Sequence, residues 1–117
     1  MNIHTLSFQS RVAESSRLRN KYPDKIPVLC VPSLNSKDHL LLKKQRFLIP
    51  HAFTAGQFLH MLRKQVNLRQ DVALFIFINN MLPATSQDFL TLDNEHRSLD
   101  GFLYVSYATE STFGKFF

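Results

Sequence analysis

Lys25-Ile26-Pro27-Val28-Leu29-Cys30-Val31 is rich in β-branched residues and is closed by Pro32. Read as a strand, it places Ile26, Val28 and Cys30 on one face and Pro27, Leu29 and Val31 on the other. Both faces are apolar, so both need a cover, and the strand belongs inside a sheet with a layer above and a layer below.

The flanking residues supply those layers. Upstream, Phe8 to Lys21 reads as an amphipathic helix. Phe8, Val12 and Leu18, with the small Ala13 and Ser15 between, trace a narrow apolar stripe, and Arg11, Arg17, Arg19 and Lys21 are expected to face outward. Tyr22-Pro23-Asp24 ends it, because a residue before proline is pushed out of helical geometry. Downstream, a polar loop from Ser33 to His39 leads to a short strand, Arg46-Phe47-Leu48-Ile49. Pro50 stops this strand and suits an edge position.

Thr54-x-x-Gln57 is a capping box, in which the threonine hydroxyl and the glutamine amide satisfy otherwise orphaned backbone N–H groups. Phe58, Met61, Leu62 and Val66 follow at helical spacing, and Arg63-Lys64 lies near the negative end of the helix dipole. Val72 to Ile78 predicts a buried strand stopped by the turn pair Asn79-Asn80. Ser86 to His96 predicts a short helix capped by Ser86, and Phe102 to Tyr107 predicts a last strand. The order is helix, β, β, helix, β, short helix, β. That is an α+β layout, the ubiquitin-like β-grasp: a four-stranded mixed sheet with its first and last strands parallel at the centre and an N-terminal helical extension.

The 117 residues supply one core; hydrophobic residues make up 44% and charged residues 20%, an ordinary globular mix that excludes global disorder and coiled coil. The longest apolar run, Val72–Ile78, falls far short of the roughly 20 residues of a membrane span, and the first residues lack the apolar run of a secretory signal. One cysteine, Cys30, rules out an internal disulfide and points to a reducing, cytoplasmic setting and a buried structural thiol. The net charge of +5 is uneven: residues 1–69 carry twelve Lys/Arg against three Asp/Glu, and residues 70–117 carry two against six. A basic first half suits an acidic partner, or is simply a solvated surface.

Signatures of catalysis are lacking. His4, His39, His51, His60 and His96 show no metal-ligand spacing, no Gly-rich phosphate loop or nucleophile elbow occurs, and His60 reads as a surface or partly packed side chain. An enzyme is not expected, nor a metal or other cofactor. No helix has a dense Arg/Lys recognition face, and no strand interleaves aromatics with glycine, so nucleic acid is not an expected partner.

A set of ordered motifs carries a resemblance. Tyr22-Pro23-Asp24-Lys25-Ile26-Pro27-Val28, Phe47-Leu48-Ile49-Pro50, Thr54-x-Gly56-Gln57-Phe58, Arg63-Lys64, Phe75-x-Phe77-x-Asn79-Asn80, Leu82-Pro83-x-Thr85, Gly101-Phe102-Leu103-Tyr104 and Glu110-Ser111-Thr112-Phe113-Gly114 occur in sequence. Together they resemble the autophagy ubiquitin-like modifiers, the GABARAP-type or autophagy-related protein eight family, from about Phe8 to Gly114. The resemblance implies a helical region over residues 1–24, a ubiquitin-like domain over 25–114 and a tail, 115–117, that a dedicated cysteine protease removes. An E1/E2-like cascade would then join Gly114 to phosphatidylethanolamine, and the lipidated monomer would serve autophagosome growth and recruit receptors through short peptides. Glycine suits such a terminus, since without a Cβ it threads narrow sites in extended form.

The resemblance also implies a peptide site on the edge strand, where open backbone groups can accept an extra strand. Residue matching gives an aromatic-anchor pocket of Glu14, Leu18, Pro27, Leu29, Leu48 and Phe102. It gives an aliphatic-anchor pocket of Phe47, Ile49, Pro50, Phe53, Phe58 and Met61, with Lys25 and Arg46 attracting acidic flanks. Core packing competes as a reading of these apolar residues, most of all for Phe58 and Ile49, whereas Phe53 and Met61 are expected to stay open.

Two departures from the family pattern stand out. The N-terminal region is about three residues shorter than usual, which puts membrane-tethering and tubulin-related roles of that region in doubt. The loop Val31–Leu42 ends in Leu40-Leu41-Leu42, either a cover that packs down, the favoured reading, or an exposed patch that alters partner choice. The alternatives to a lipid-conjugated modifier are a non-conjugated ubiquitin-like adaptor and, third, a nucleic-acid binder.

Overall fold

A computed structural model describes residues 6–33, 42 and 44–109 of the chain. These form α1 (Phe8–Lys21), β1 (Lys25–Pro32), β2 (Arg46–Pro50), α2 (Ala55–Val66), β3 (Phe75–Phe77), α3 (Phe89–His96) and β4 (Leu103–Ala108). The sheet order is β2-β1-β4-β3. β1 runs antiparallel to β2, with Ile26 opposite Ile49 and Val28 opposite Phe47. It runs parallel to β4, with Val28 opposite Leu103 and Cys30 opposite Val105.

The two-faced apolar character of β1 is used as its alternation requires. Ile26, Val28 and Cys30 join Phe47, Ile49, Phe58, Leu62, Leu103 and Val105 in the main core beneath α2. Leu29 turns the other way, into a smaller cluster with Leu18 of α1 and Phe102, against which Leu48 and Tyr104 pack. Leu42 is buried in the main core, as the packing expectation has it, while Leu40 and Leu41 lie outside the described residues. Cys30 is fully buried, and burial pushes its thiol far above the usual range, which leaves it inert.

α2 begins as its sequence dictates. Thr54 Oγ1 accepts from the Gln57 N–H at 3.2 Å, and Gln57 Oε1 accepts from the Thr54 N–H at 2.8 Å. Asn67 closes the helix in the left-handed region at φ 53°.

β1 and β2 each run one residue further than read, through Pro32 and Pro50, and three other boundaries differ more. β3 spans only Phe75–Phe77, because just three residues find partners on β4, from Phe75 opposite Ala108 to Phe77 opposite Ser106. Before it, the Val72 N–H bonds the Arg69 carbonyl in a turn; after it, Ile78 bridges Met81 across Asn79 and Asn80, both at positive φ. Of the apolar residues outside Phe75–Phe77, Leu74 and Ile78 are buried, Val72 is half-buried and Ala73 is exposed, and Ile78 pairs through its bridge to Met81 and not with β4. α3 starts at Phe89 and is capped by Asp88, whose Oδ1 accepts from the Thr91 N–H at 2.8 Å, and not by Ser86. The segment just before it is occupied elsewhere: the Thr85 and Gln87 carbonyls accept from Gly56 and Ala55 at the start of α2. Finally, β4 is displaced by one residue, because Phe102 belongs to the preceding turn: its N–H bonds Asp100 Oδ1 and its carbonyl accepts from Ser98.

α1 carries a larger correction. Arg11 and Arg19 do not face outward but reach to α3 and the turn after it, residues 93–101. Arg19 grips Asp93 with two bonds, at 2.9 and 2.8 Å, and also donates to the Gly101 carbonyl. Arg11 Nε donates to Asp100 Oδ2 at 2.9 Å, and Ser15 Oγ donates to the Asp100 carbonyl at 2.6 Å. A helical wheel marks such arginines as solvent-facing, since it cannot show a buried carboxylate contributed by distant sequence. Phe8, assigned to the apolar stripe, is about half exposed, and the buried residues of α1 are Ser15 and Leu18.

Candidate peptide-binding groove

β2 stands at one border of the sheet, paired through β1 alone. Its five residues alternate with period two: Phe47 and Ile49 are buried, Leu48 is half-buried, and Arg46 and Pro50 are exposed. Among the described residues its outer edge has no strand partner; α1 flanks it across a hollow, and Phe53, whose N–H bonds the Pro50 carbonyl, leads from its end into α2.

On the α1 flank lies a hollow of about 400 Å³, lined by Arg17, Leu18, Lys21 and Tyr22 on one side and by Lys44, Arg46, Phe47 and Leu48 on the other. Leu18 and Leu48 of the expected aromatic-anchor set line it. Leu29 and Phe102 are wholly buried in the small cluster, and buried Pro27 is the register partner of Leu48. Glu14, one turn before Leu18, accepts from Arg17 at 2.6 and 3.1 Å and from Arg46 Nη1 at 3.0 Å. The hydrogen bond from Arg17 holds its carboxyl below the ordinary carboxylate range, with Arg46 adding to the effect. Arg46 is thus an exposed cation with a partner.

Beside the start of α2, beyond the end of β2, is a cavity of about 670 Å³, lined by Phe53, Thr54, Gly56, Gln57, His60, Met61, Lys64 and Thr85. Phe53 and Met61 of the aliphatic-anchor set are half-buried and lie on its wall. Phe47, Ile49 and Phe58 are core residues; the Phe47 and Phe58 rings meet edge-on at 5.8 Å, and Phe58 and Phe89 at 5.1 Å. Pro50 is exposed at the end of β2.

Lys25 and Arg46 lie at opposite ends of the β1–β2 ladder, since Lys25 pairs with Pro50 and Leu29 with Arg46. A strand rises roughly 3.3 Å per residue, so the two cannot flank one end of a ligand together. Sequence reading missed Arg17, Lys21 and Lys44 as lining residues. The signal was present for the first two: Glu14, Arg17, Leu18 and Lys21 fall at three- and four-residue spacings, on one helical face. Gly114 lies outside the described residues.

The parallel central pair, the capped helix crossing one sheet face and the further helix packed on the other define a ubiquitin-like β-grasp domain with an N-terminal helical extension. Comparison with known proteins narrows the class. Residues 10–114 match the family model described as "Autophagy protein Atg8 ubiquitin like". The chain is 44% identical over 111 residues to autophagy-related protein 8 of Schizosaccharomyces pombe, covering 95% of this chain and 91% of that one. It is 41% identical over 114 residues to autophagy-related protein 8d of Arabidopsis thaliana, covering 97% and 94%. Among solved structures, the crystal structure of Trypanosoma brucei ATG8 superimposes with a TM-score of 0.83 at 32% identity, over 91% of this chain and 90% of that one. Plasmodium falciparum Atg8 in complex with a Plasmodium falciparum Atg3 peptide gives 0.81 at 31%, over 90% and 92%. The chain belongs to the Atg8 family, the ubiquitin-like proteins of autophagy. Its members are modifiers and adaptors, so it is not an enzyme.

Proposed function

We propose that this chain is a modifier joined through Gly114 to phosphatidylethanolamine, and that it recruits receptors by adding their peptides to β2. A cysteine protease removes residues 115–117, and an E1/E2-like pair activates the glycine carboxyl. The family match, which extends to residue 114, supports that end point. Among the described residues no helix is long and apolar enough to cross a membrane. The conjugated lipid supplies the anchor instead, because two acyl chains hold a domain stably where one holds it marginally. The protein is cytoplasmic until conjugated and resides on the autophagosome membrane afterwards.

The observation that carries the peptide reading is that, among the described residues, β2 has a strand partner on one side only, with one hollow against it and α1 and a second beside the start of α2. An extended peptide lays its aromatic anchor over Leu18 and Leu48 and its aliphatic anchor against Phe53 and Met61, and so runs parallel to β2. Each anchor contributes about 1.5–3 kcal/mol, which with strand addition gives transient, roughly micromolar binding. The Plasmodium Atg8 bound to an Atg3 peptide supports both peptide docking and an E2-like partner for this chain.

Intact mass of the protein from cells tests the conjugation. Trimming after Gly114 with added phosphatidylethanolamine is expected, and Gly114→Ala should abolish both. An untrimmed, unconjugated chain that still binds aromatic-x-x-aliphatic peptides would instead establish a non-conjugated adaptor.

A further inference from the structure

We propose that Glu14 is an internal stand-in for a ligand carboxylate, and that it sets how strongly the groove selects peptides with acidic flanks. The inference rests on the groove reading above and concerns its specificity. Four cations, Arg17, Lys21, Lys44 and Arg46, line the hollow between α1 and β2 above the apolar surface of Leu18 and Leu48. Lys21 and Lys44 lie over the rings of Tyr22 and Phe47, at 5.5 and 5.3 Å. Among the described residues, Glu14 is the carboxylate that forms ion pairs with this cluster. Its two oxygens take a fork from Arg17, and Oε1 also accepts from Arg46 across the gap between helix and strand.

Both arginine side chains remain about half exposed, at 55% and 48%, so an incoming carboxylate can reach them. An acidic peptide residue that takes the Arg46 Nη1 donor or the Arg17 Nε–Nη2 fork, the donors Glu14 holds, displaces Glu14. The ion pair formed with the peptide is offset by the internal one it breaks, and acidic flanks are rewarded less than four cations would otherwise allow. Glu14 thereby blunts charge selection and keeps the hollow bridged when no peptide is bound. The opposite role, preorganising the arginines for the ligand, makes the opposite prediction.

The test uses the full chain and two synthetic peptides sharing a Phe-x-x-Leu core, one preceded by three aspartates and the other by three serines. Titration calorimetry at low and high salt gives the affinity ratio of the acidic to the neutral peptide. In Glu14→Gln that ratio should rise about three- to fivefold, the upper part of the range of an exposed ion pair, and fall more steeply with salt. Glu14→Ala should move it the same way, which covers the case in which the glutamine amide bonds the arginines itself. A ratio that stays flat or drops in both variants overturns the proposal. Leu48→Arg separates the two readings. If it weakens both peptides while the Glu14 variants leave the ratio flat, the stand-in alone falls; if it weakens neither, the groove and the stand-in fall together.

Discussion

Arg19 and Asp93, 74 residues apart in sequence, meet in a two-pronged ion pair in which the carboxylate side chain is fully buried. Arg97, one helical turn beyond Asp93, closes on the same carboxylate at 2.6 Å. This pair fixes α1 to α3, and Arg11 on Asp100 with Ser15 on the Asp100 carbonyl fixes it to the turn ahead of β4. α1 in turn carries Glu14 and Leu18 to the groove.

Asp93→Ala leaves two arginines without their carboxylate. Breaking a buried pair by removing one partner costs about 3–5 kcal/mol, and the partial exposure of Arg19 puts the expected loss near the lower end. Arg97→Ala, at the more exposed partner, should cost about 1 kcal/mol or less. Urea unfolding of the two variants measures the difference.

Acid should weaken the protein in a defined window. Burial pushes the Asp93 and Asp100 carboxyls up, but hydrogen bonds from Arg19 and Arg97 to the first, and from Tyr104, the Phe102 N–H and Arg11 to the second, outweigh it, so both lie below the ordinary value of 3.8. A depressed folded value means that the unfolded chain binds more protons in the window between the two values, so stability rises with pH there. The contribution is complete above the unfolded value of about 3.9 and is lost as pH falls through the folded one. The urea midpoint should show no change from these groups between pH 7 and 5 and should fall below about 4. Asp100→Asn should flatten that fall. The partner hydroxyl of Tyr104 is pushed the other way, up to about 12, by burial and by its bond to Asp100.

Gly101→Ala should be far more damaging than Gly56→Ala. Gly101 sits at φ +89°, and an added Cβ would lie 2.2 Å from Ser15 Oγ, displacing the bond to the Asp100 carbonyl. A loss of about 2 kcal/mol or more is expected from strain and the broken contact together. At Gly56 the Cβ would meet Thr85 at 3.2–3.3 Å, a mild squeeze against which the better helix propensity of alanine, about 1 kcal/mol, is set. Thermal melts of the two variants should separate clearly.

Leu48→Arg should reduce binding of aromatic-x-x-aliphatic peptides by about tenfold or more, since it removes one anchor contact. The fold should survive, because Leu48 is only half-buried on the face of β2 turned away from the main core. Calorimetry with unchanged affinity would mean that the peptide docks elsewhere.

Elements governed by local chemistry were legible in the sequence. The alternation of residues 25–31 predicts both clusters that flank β1, and Thr54 with Gln57 marks the start of α2. What escaped depends on distant partners. The length of β3 is set by how much of β4 lies beside it, and Ser86 loses the cap of α3 because the neighbouring carbonyls serve α2. In the groove, residue matching named Leu18, Arg46, Phe47 and Leu48, which line the hollow beside α1, and Phe53 and Met61, which line the cavity beside α2. It also named Leu29, Phe58 and Phe102, which are sealed in the interior. Composition alone does not separate a wall from the packing behind it.

The single cysteine at position 30 is enclosed at the centre of the sheet and shielded from reagents. A cysteine engineered at an exposed rim position such as Arg46 would therefore be the sole site to take up a maleimide dye. Fluorescence reporters of peptide docking can thus be attached one at a time, with the native thiol left in place.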